Sequence, residues 1–179
     1  MKKTIIFFIF IILVGYGIYN ISQFTVENNK SSIQTNVKMF INRGEVRKLN
    51  PHIIDIEQIG ESNSFIALFQ LNNSSMGFAH LEKGLNNKMK ILTTTYGDDN
   101  KVSYSDIKTN NGKYIAIIGI NKGLNIDHIT TKLMYEKYTY NVNVSNEEYF
   151  IKYKKLPRKL KDTFPADLIL YDKKGNVLP

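Results

Sequence analysis

Cysteine is absent from the 179 residues. That excludes a disulfide framework, a thiolate zinc site and a cysteine nucleophile. Histidine is scarce, with His52, His80 and His128 alone, and none sits in HExxH, HxH or HxxxH spacing. The sequence therefore spells out no metal site and calls for no cofactor. Serines occur without the Gly-x-Ser-x-Gly elbow. Glycines occur without a phosphate-cradling loop: residues 112–123 (GKYIAIIGINKG) read as a strand. Calcium-loop spacing is missing too. No helix-turn-helix, RNP-like or zinc-finger pattern is present, which argues against nucleic acid as a partner.

Acidic residues are also in the minority. Sixteen stand against 24 lysines and arginines, giving a net charge of +8. Residues 1–30 carry three lysines and one glutamate, so the remainder holds +6. Such a surface attracts polyanions.

What is present begins with residues 4–22 (TIIFFIFIILVGYGIYNIS), which contain no charge and follow Lys2 and Lys3. As a helix, residues 4–21 reach roughly 27 Å, against about 30 Å for a bilayer core. A cleaved signal peptide also has a basic start and an apolar middle, and Gly15-Tyr16-Gly17 resembles a cleavage triplet. The apolar run continues past it through Ile18, Tyr19 and Ile21, however, and Tyr16 and Tyr19 suit an interfacial belt. The flanks favour an uncleaved anchor, residues 1–22. Lys2 and Lys3 then stay inside, placing the C-terminal part outside the cell; cleavage would make it secreted. An exported chain without cysteine fits a Gram-positive surface.

Residues 23–32 are polar and weakly patterned, and read as a stalk. Residues 33–179 then form one extracytoplasmic domain of ordinary size. Ile33, Val37, Phe40 and Ile41 fall at helical spacing, predicting a short amphipathic helix near 33–43 with Ser32 as N-cap and Gly44 as stop. After Pro51 the period becomes two. Strands are predicted at 53–59, 64–71, 76–83, 88–96, 102–109, 113–120, 126–134, 136–144, 147–154 and 166–172. The alternation is clearest where Tyr138, Tyr140, Val142 and Val144 interleave with polar residues. Turn clusters separate the runs, at 60–63, 72–75, 97–100, 110–112 and 172–176. Asn111-Gly112 predicts a type I′ hairpin with positive φ at both residues. The expected fold is mainly β: an antiparallel sandwich or open barrel behind one membrane helix.

Candidate chemistry is thin. His80 and Glu82 share a strand face and could act as a base with its orienting carboxylate. His128 and Asp127 are strand neighbours expected on opposite faces. Acidic pairs occur at Asp98-Asp99 and Glu147-Glu148; the first, like the Asp172–Asn176 stretch, reads as a turn. Lys83-Gly84-Leu85-Asn86 and Lys122-Gly123-Leu124-Asn125 repeat one tetrapeptide, expected to be two similar turns that use glycine for positive φ. The strongest feature is residues 152–161 (KYKKLPRKLK), with six basic residues and no acid. Lys152, Lys154, Lys155, Arg158, Lys159 and Lys161 are the candidate ligand-binding residues. Wall polymer or lipid headgroups are the anionic partners, each base adding about 1 kcal/mol near a charged membrane. The alternative is a plain solvated loop after a strand end, with Pro157 and Pro165 preventing pairing. Tyr149 and Tyr153 are expected to pack.

Residues 77–91 (GFAHLEKGLNNKMKI), 109–115 (TNNGKYI) and 147–151 (EEYFI) resemble small membrane-anchored, β-rich proteins of low-GC Gram-positive bacteria. The resemblance covers about residues 60–179 together with the anchor design. It implies fold and location; that group has no assigned activity, so no site residue follows from it. Three functions stay open: a non-enzymatic binding module in the cell-wall space, an accessory subunit of another membrane protein, or an enzyme assembled from distant residues such as His80, Glu82 and His128.

Overall fold

A computed structural model describes residues 2–46, 48–71, 75–97 and 101–178. Asp98-Asp99 and most of the 72–75 turn lie outside them. Helix α1 (Lys2–Ser22) contains no proline or internal charge to break it. From Ile5 onward no side chain of the helix is buried, and its last turn, at Asn20 and Ile21, meets the domain. Eighteen residues, Ile5–Ser22, are apolar and long enough to cross a membrane.

Helix α2 (Lys30–Ile41) buries Ile33, Val37 and Ile41 on one stripe. It starts earlier than the spacing predicts. Asn29, not Ser32, is the N-cap: its Oδ1 accepts from the Ser32 N–H at 2.9 Å. The Ser32 hydroxyl instead accepts from the Glu27 N–H at 3.1 Å. Asn42 ends the helix, its side chain donating to Lys38 O and exchanging two bonds with Leu49; Gly44 follows two residues later.

Ten strands follow: β1 (His52–Gln58), β2 (Ser64–Gln70), β3 (Met76–Lys83), β4 (Met89–Gly97), β5 (Val102–Thr109), β6 (Gly112–Ile120), β7 (His128–Leu133), β8 (Thr139–Asn143), β9 (Tyr149–Lys155) and β10 (Ala166–Tyr171). All pairing is antiparallel. They form three open sheets: a first sheet β1-β2-β3-β4, a middle sheet β5-β6-β9 and an outer sheet β10-β7-β8. The sandwich alternative is realised, with a third sheet added.

The layers follow from which side chains face which. Val37 and Ile41 of α2 meet Ala67, Phe69 and Leu81 on one face of the first sheet. Ile66, Leu68 and Phe78 on its other face meet Ala116, Ile118 and Ile151 of the middle sheet. Ile117 and Phe150 on the far face of the middle sheet meet Ile129 and Leu168 of the outer sheet. The stack is helix, sheet, sheet, sheet. Strands β2 and β6 are thus covered on both faces, which is why residues 65–69 and 114–118 are continuously apolar. Three apolar seams hold the domain without any disulfide.

Two local expectations are corrected. The β5–β6 hairpin turns at Asn110–Asn111, with Thr109 paired to Gly112, and only Gly112 has positive φ (+114°). The Thr109 hydroxyl accepts the Asn111 N–H at 3.0 Å and stabilises this turn in place of type I′. The expected stalk is not a free spacer. Val26 is buried and exchanges two backbone hydrogen bonds with Met89, at 3.0 and 2.7 Å, extending the first sheet beyond β4. The apolar side chains of Phe24 and Val26 are what draw this polar stretch onto the domain.

Candidate interaction surface

Strand β9 is an edge of the middle sheet, and alternation divides its side chains. Ile151 and Tyr153 pack toward the first sheet, and Phe150 toward the outer one. Tyr149 and Tyr153 are packing residues, as expected. Lys152 forms a 2.6 Å ion pair with Glu147 and is withdrawn from the group of six. Lys154 and Lys155 stand exposed at the strand's end. Lys155 Nζ donates to Asn111 Oδ1 at 2.9 Å and lies 5.8 Å from the centroid of the Tyr114 ring.

Beyond β9 the chain is clamped. Leu156 is buried and donates its N–H to Lys113 O at 2.8 Å. Pro157 O accepts from the Leu160 N–H, closing a turn that displays Arg158 and Lys159. Glu136 Oε1 accepts the N–H groups of Lys161 and Asp162 at 2.8 and 3.3 Å, and those bonds hold its carboxyl below the ordinary range. Thr163 is buried and central: its hydroxyl donates to Asp106 Oδ2 at 2.8 Å and accepts from Lys113 Nζ at 3.1 Å. The Tyr104 hydroxyl donates to Thr163 O. Burial, with Asp106 beside it, pushes the Tyr104 hydroxyl up, so it stays protonated as a donor. Phe164 stacks on Tyr104 at 6.2 Å yet remains 61% exposed. The basic loop is held by a set of hydrogen bonds centred on the buried Thr163.

Contacts place this display at the end of the stack from which α1 leaves. Asn86 Nδ2 donates to Ile21 O and Phe24 O at 3.3 and 3.0 Å. Lys83 N–H donates to Asn63 O, and Asn63 N–H donates to Asn110 Oδ1 at 3.0 Å. Asn111, beside Asn110, accepts from Lys155. A cleft of about 430 Å³ lined by Ile21, Phe24, Asn63, Leu85 and Asn110 joins the same elements. Sequence reasoning missed its apolar members. Leu85 is 98% exposed, and Met134, Tyr135 and Phe164 are also exposed beside the basic loop, where the Met134 N–H donates to Pro165 O. The signal was available at Leu85, an apolar residue inside a turn cluster, but the repeat directed attention to its glycine.

The catalytic candidates do not assemble. His80 and Glu82 share the first-sheet face that looks toward the middle sheet, yet Glu82 Oε1 accepts from Asn63 Nδ2 at 2.9 Å. Among the described residues His80 Nε2 is buried without a hydrogen-bond partner, and burial lowers the ring's pKa, opposed in part by Glu82. His128 belongs to the outer sheet, stacked on Tyr171 at 4.7 Å, with the middle sheet between it and His80. Asp127 does reach His128 Nδ1, at 2.9 Å, because it precedes β7 and is not held to strand alternation. The cleft above holds none of the three. Nor do those of about 590 Å³, lined by Gln23, Asn36, Phe40, Arg43 and Lys90, and about 290 Å³, lined by Asn125, Ser145, Asp172 and Lys174.

The repeated tetrapeptides also part ways. Gly123 has φ +78°, as expected, but Gly84 has no positive φ. A Cβ on Gly84 would lie 2.6 Å from the Phe24 ring, so glycine is needed there for close packing. No protein-family model matches the chain, and no curated protein or solved structure matches it either.

Proposed function

We propose that this chain is a single-pass membrane protein whose β domain faces the cell-wall space of a Gram-positive-type envelope. There it serves as a non-enzymatic binding module for anionic polymer or lipid headgroups. The apolar α1, preceded by Lys2 and Lys3, supports the anchor and its orientation. The observation that carries the binding role is the clamp around Thr163, which holds the loop bearing Arg158 and Lys159 beside the exposed Lys154 at the end of β9. Pre-ordering such a loop lowers the entropy lost on binding.

Because α1 contributes no side chain to the three apolar seams, residues 23–179 keep them and can be tested alone. That fragment should sediment with anionic vesicles or bind teichoic acid. Replacing Lys154, Lys155, Arg158 and Lys159 by glutamine should weaken binding roughly tenfold or more, and raised salt should do the same. Equal binding by both forms would remove the role assigned to the loop.

A further inference from the structure

We infer that the α1 end of the domain rests on the same bilayer that α1 crosses. Leu85 and Phe164 enter the interface within a rim of basic side chains drawn from the first and middle sheets and the clamped loop. The inference deepens the anchor reading above and rests on it: it selects lipid headgroups over wall polymer as the anion met by this face.

The tether allows no slack. Gln23 and Phe24 N–H groups donate to Asn20 O and Ile21 O, carrying the turn of α1 straight into the domain. Two residues later Val26 is already paired with Met89. Asn86, adjacent to Leu85, grips Ile21 O directly, so Leu85 sits beside the last turn of the span. A span of about 27 Å is slightly short for a core of about 30 Å, which draws its flanking residues toward the acyl boundary. Leu85, 98% exposed in water, then gains an apolar environment.

Charge and apolarity continue across the same end. Lys83 closes β3, Lys108 lies near the end of β5, and Arg158 and Lys159 top the clamped loop. Beside them Tyr135 and Phe164 are 67% and 61% exposed. Basic side chains around exposed aromatic and aliphatic residues are the composition of an interfacial membrane contact. The opposite end carries Lys101, Lys122, Lys173 and Lys174 together with Asp127, Glu147, Glu148 and Asp172, so its loops are near charge balance, and α1 does not leave from it.

The absence of cysteine makes the test direct, since one introduced thiol can carry one environment-sensitive fluorophore. Full-length protein in nanodiscs containing anionic lipid is labelled at Leu85→Cys, Phe164→Cys, Tyr135→Cys, Ser145→Cys or Ile12→Cys. Tyr135 provides a second reading should loss of the Phe164 ring disturb the Tyr104 stack. Labels at 85 and at 164 or 135 should be quenched by shallow lipid-borne quenchers and protected several-fold from aqueous iodide relative to 145. Iodide quenching at 85, 135 and 164 equal to that at 145 overturns the inference. Lipid contact at 85 alone overturns it too, because the tether would then be the sole contact. A deep-quenched label at 12 with these outcomes leaves the anchor standing; a water-exposed label at 12 removes the anchor and this inference together. A label at 164 that responds to soluble teichoic acid but not to lipid quenchers assigns the face to wall polymer, overturning the inference and leaving the binding module intact.

Discussion

His80 shows how a single side chain's surroundings set its chemistry. It lies between Ile66 of β2 and Thr93 of β4, with Glu82 the only charge on its own strand face. Burial favours the neutral ring, so its folded pKa falls below the ordinary 6.5. The unfolded chain therefore takes the proton first as pH drops, and stability present above about 6.5 is lost below it. Residues 23–179 should unfold at lower urea at pH 5.5 than at pH 7.5, and His80→Leu should reduce that difference. Glu57, whose carboxyl is raised by burial and then by Asp55, acts in the opposite direction in both forms and cancels in the comparison. An unchanged pH dependence in the variant would refute the role of His80. The sequence could show that His80 and Glu82 share a face, because strand period two fixes that. It could not show that Asn63 would occupy Glu82, since that contact spans 19 residues. Gly84 failed for a related reason: its partner Phe24 lies in a stretch whose polar neighbours hid its docking.

At the scale of elements, local pattern carried most of the information. Turn clusters and period two located the strands, for example β3 at Met76–Lys83, because both signals depend on residues adjacent in sequence. Sheet membership was not legible. β6 pairs with β9 and not with β7, whose Ile129 instead packs face to face against Ile117 of β6, and period two cannot say which apolar face meets which. The double-sided burial of β2 and β6 could have been read from their unbroken apolar runs. The start of α2 was misplaced by three residues because Ser32 and Asn29 both carry capping side chains. The geometry yields a prediction that separates them. Asn29→Ala should cost about 1 kcal/mol, whereas Ser32→Ala, which removes the outer Glu27 contact, should cost less. Urea unfolding of the two variants measures this, and a larger loss in Ser32→Ala would reinstate Ser32 as the cap.

For the whole molecule, the decisive relation is the joint between α1 and the stack. A free stalk would let the domain drift from the span, and the basic loop would then meet whatever polymer lies nearby. The observed joint instead makes residues 23–29 part of the domain: Phe24 against Gly84, Val26 paired with Met89, and Asn29 capping α2. Deleting them should therefore be costly. Burying a valine contributes about 1.5–3 kcal/mol and the cap about 1, so a fragment of residues 30–179 should be about 2.5–4 kcal/mol less stable than residues 23–179. Domains of this kind have about 5–15 kcal/mol in total. Chemical unfolding of the two fragments decides the matter, since a true stalk would leave the midpoint unchanged. A loss of the expected size means that the domain cannot leave the end of its helix without giving up part of its own core. The basic loop then keeps a fixed relation to the end of α1, which the membrane contact inferred above requires.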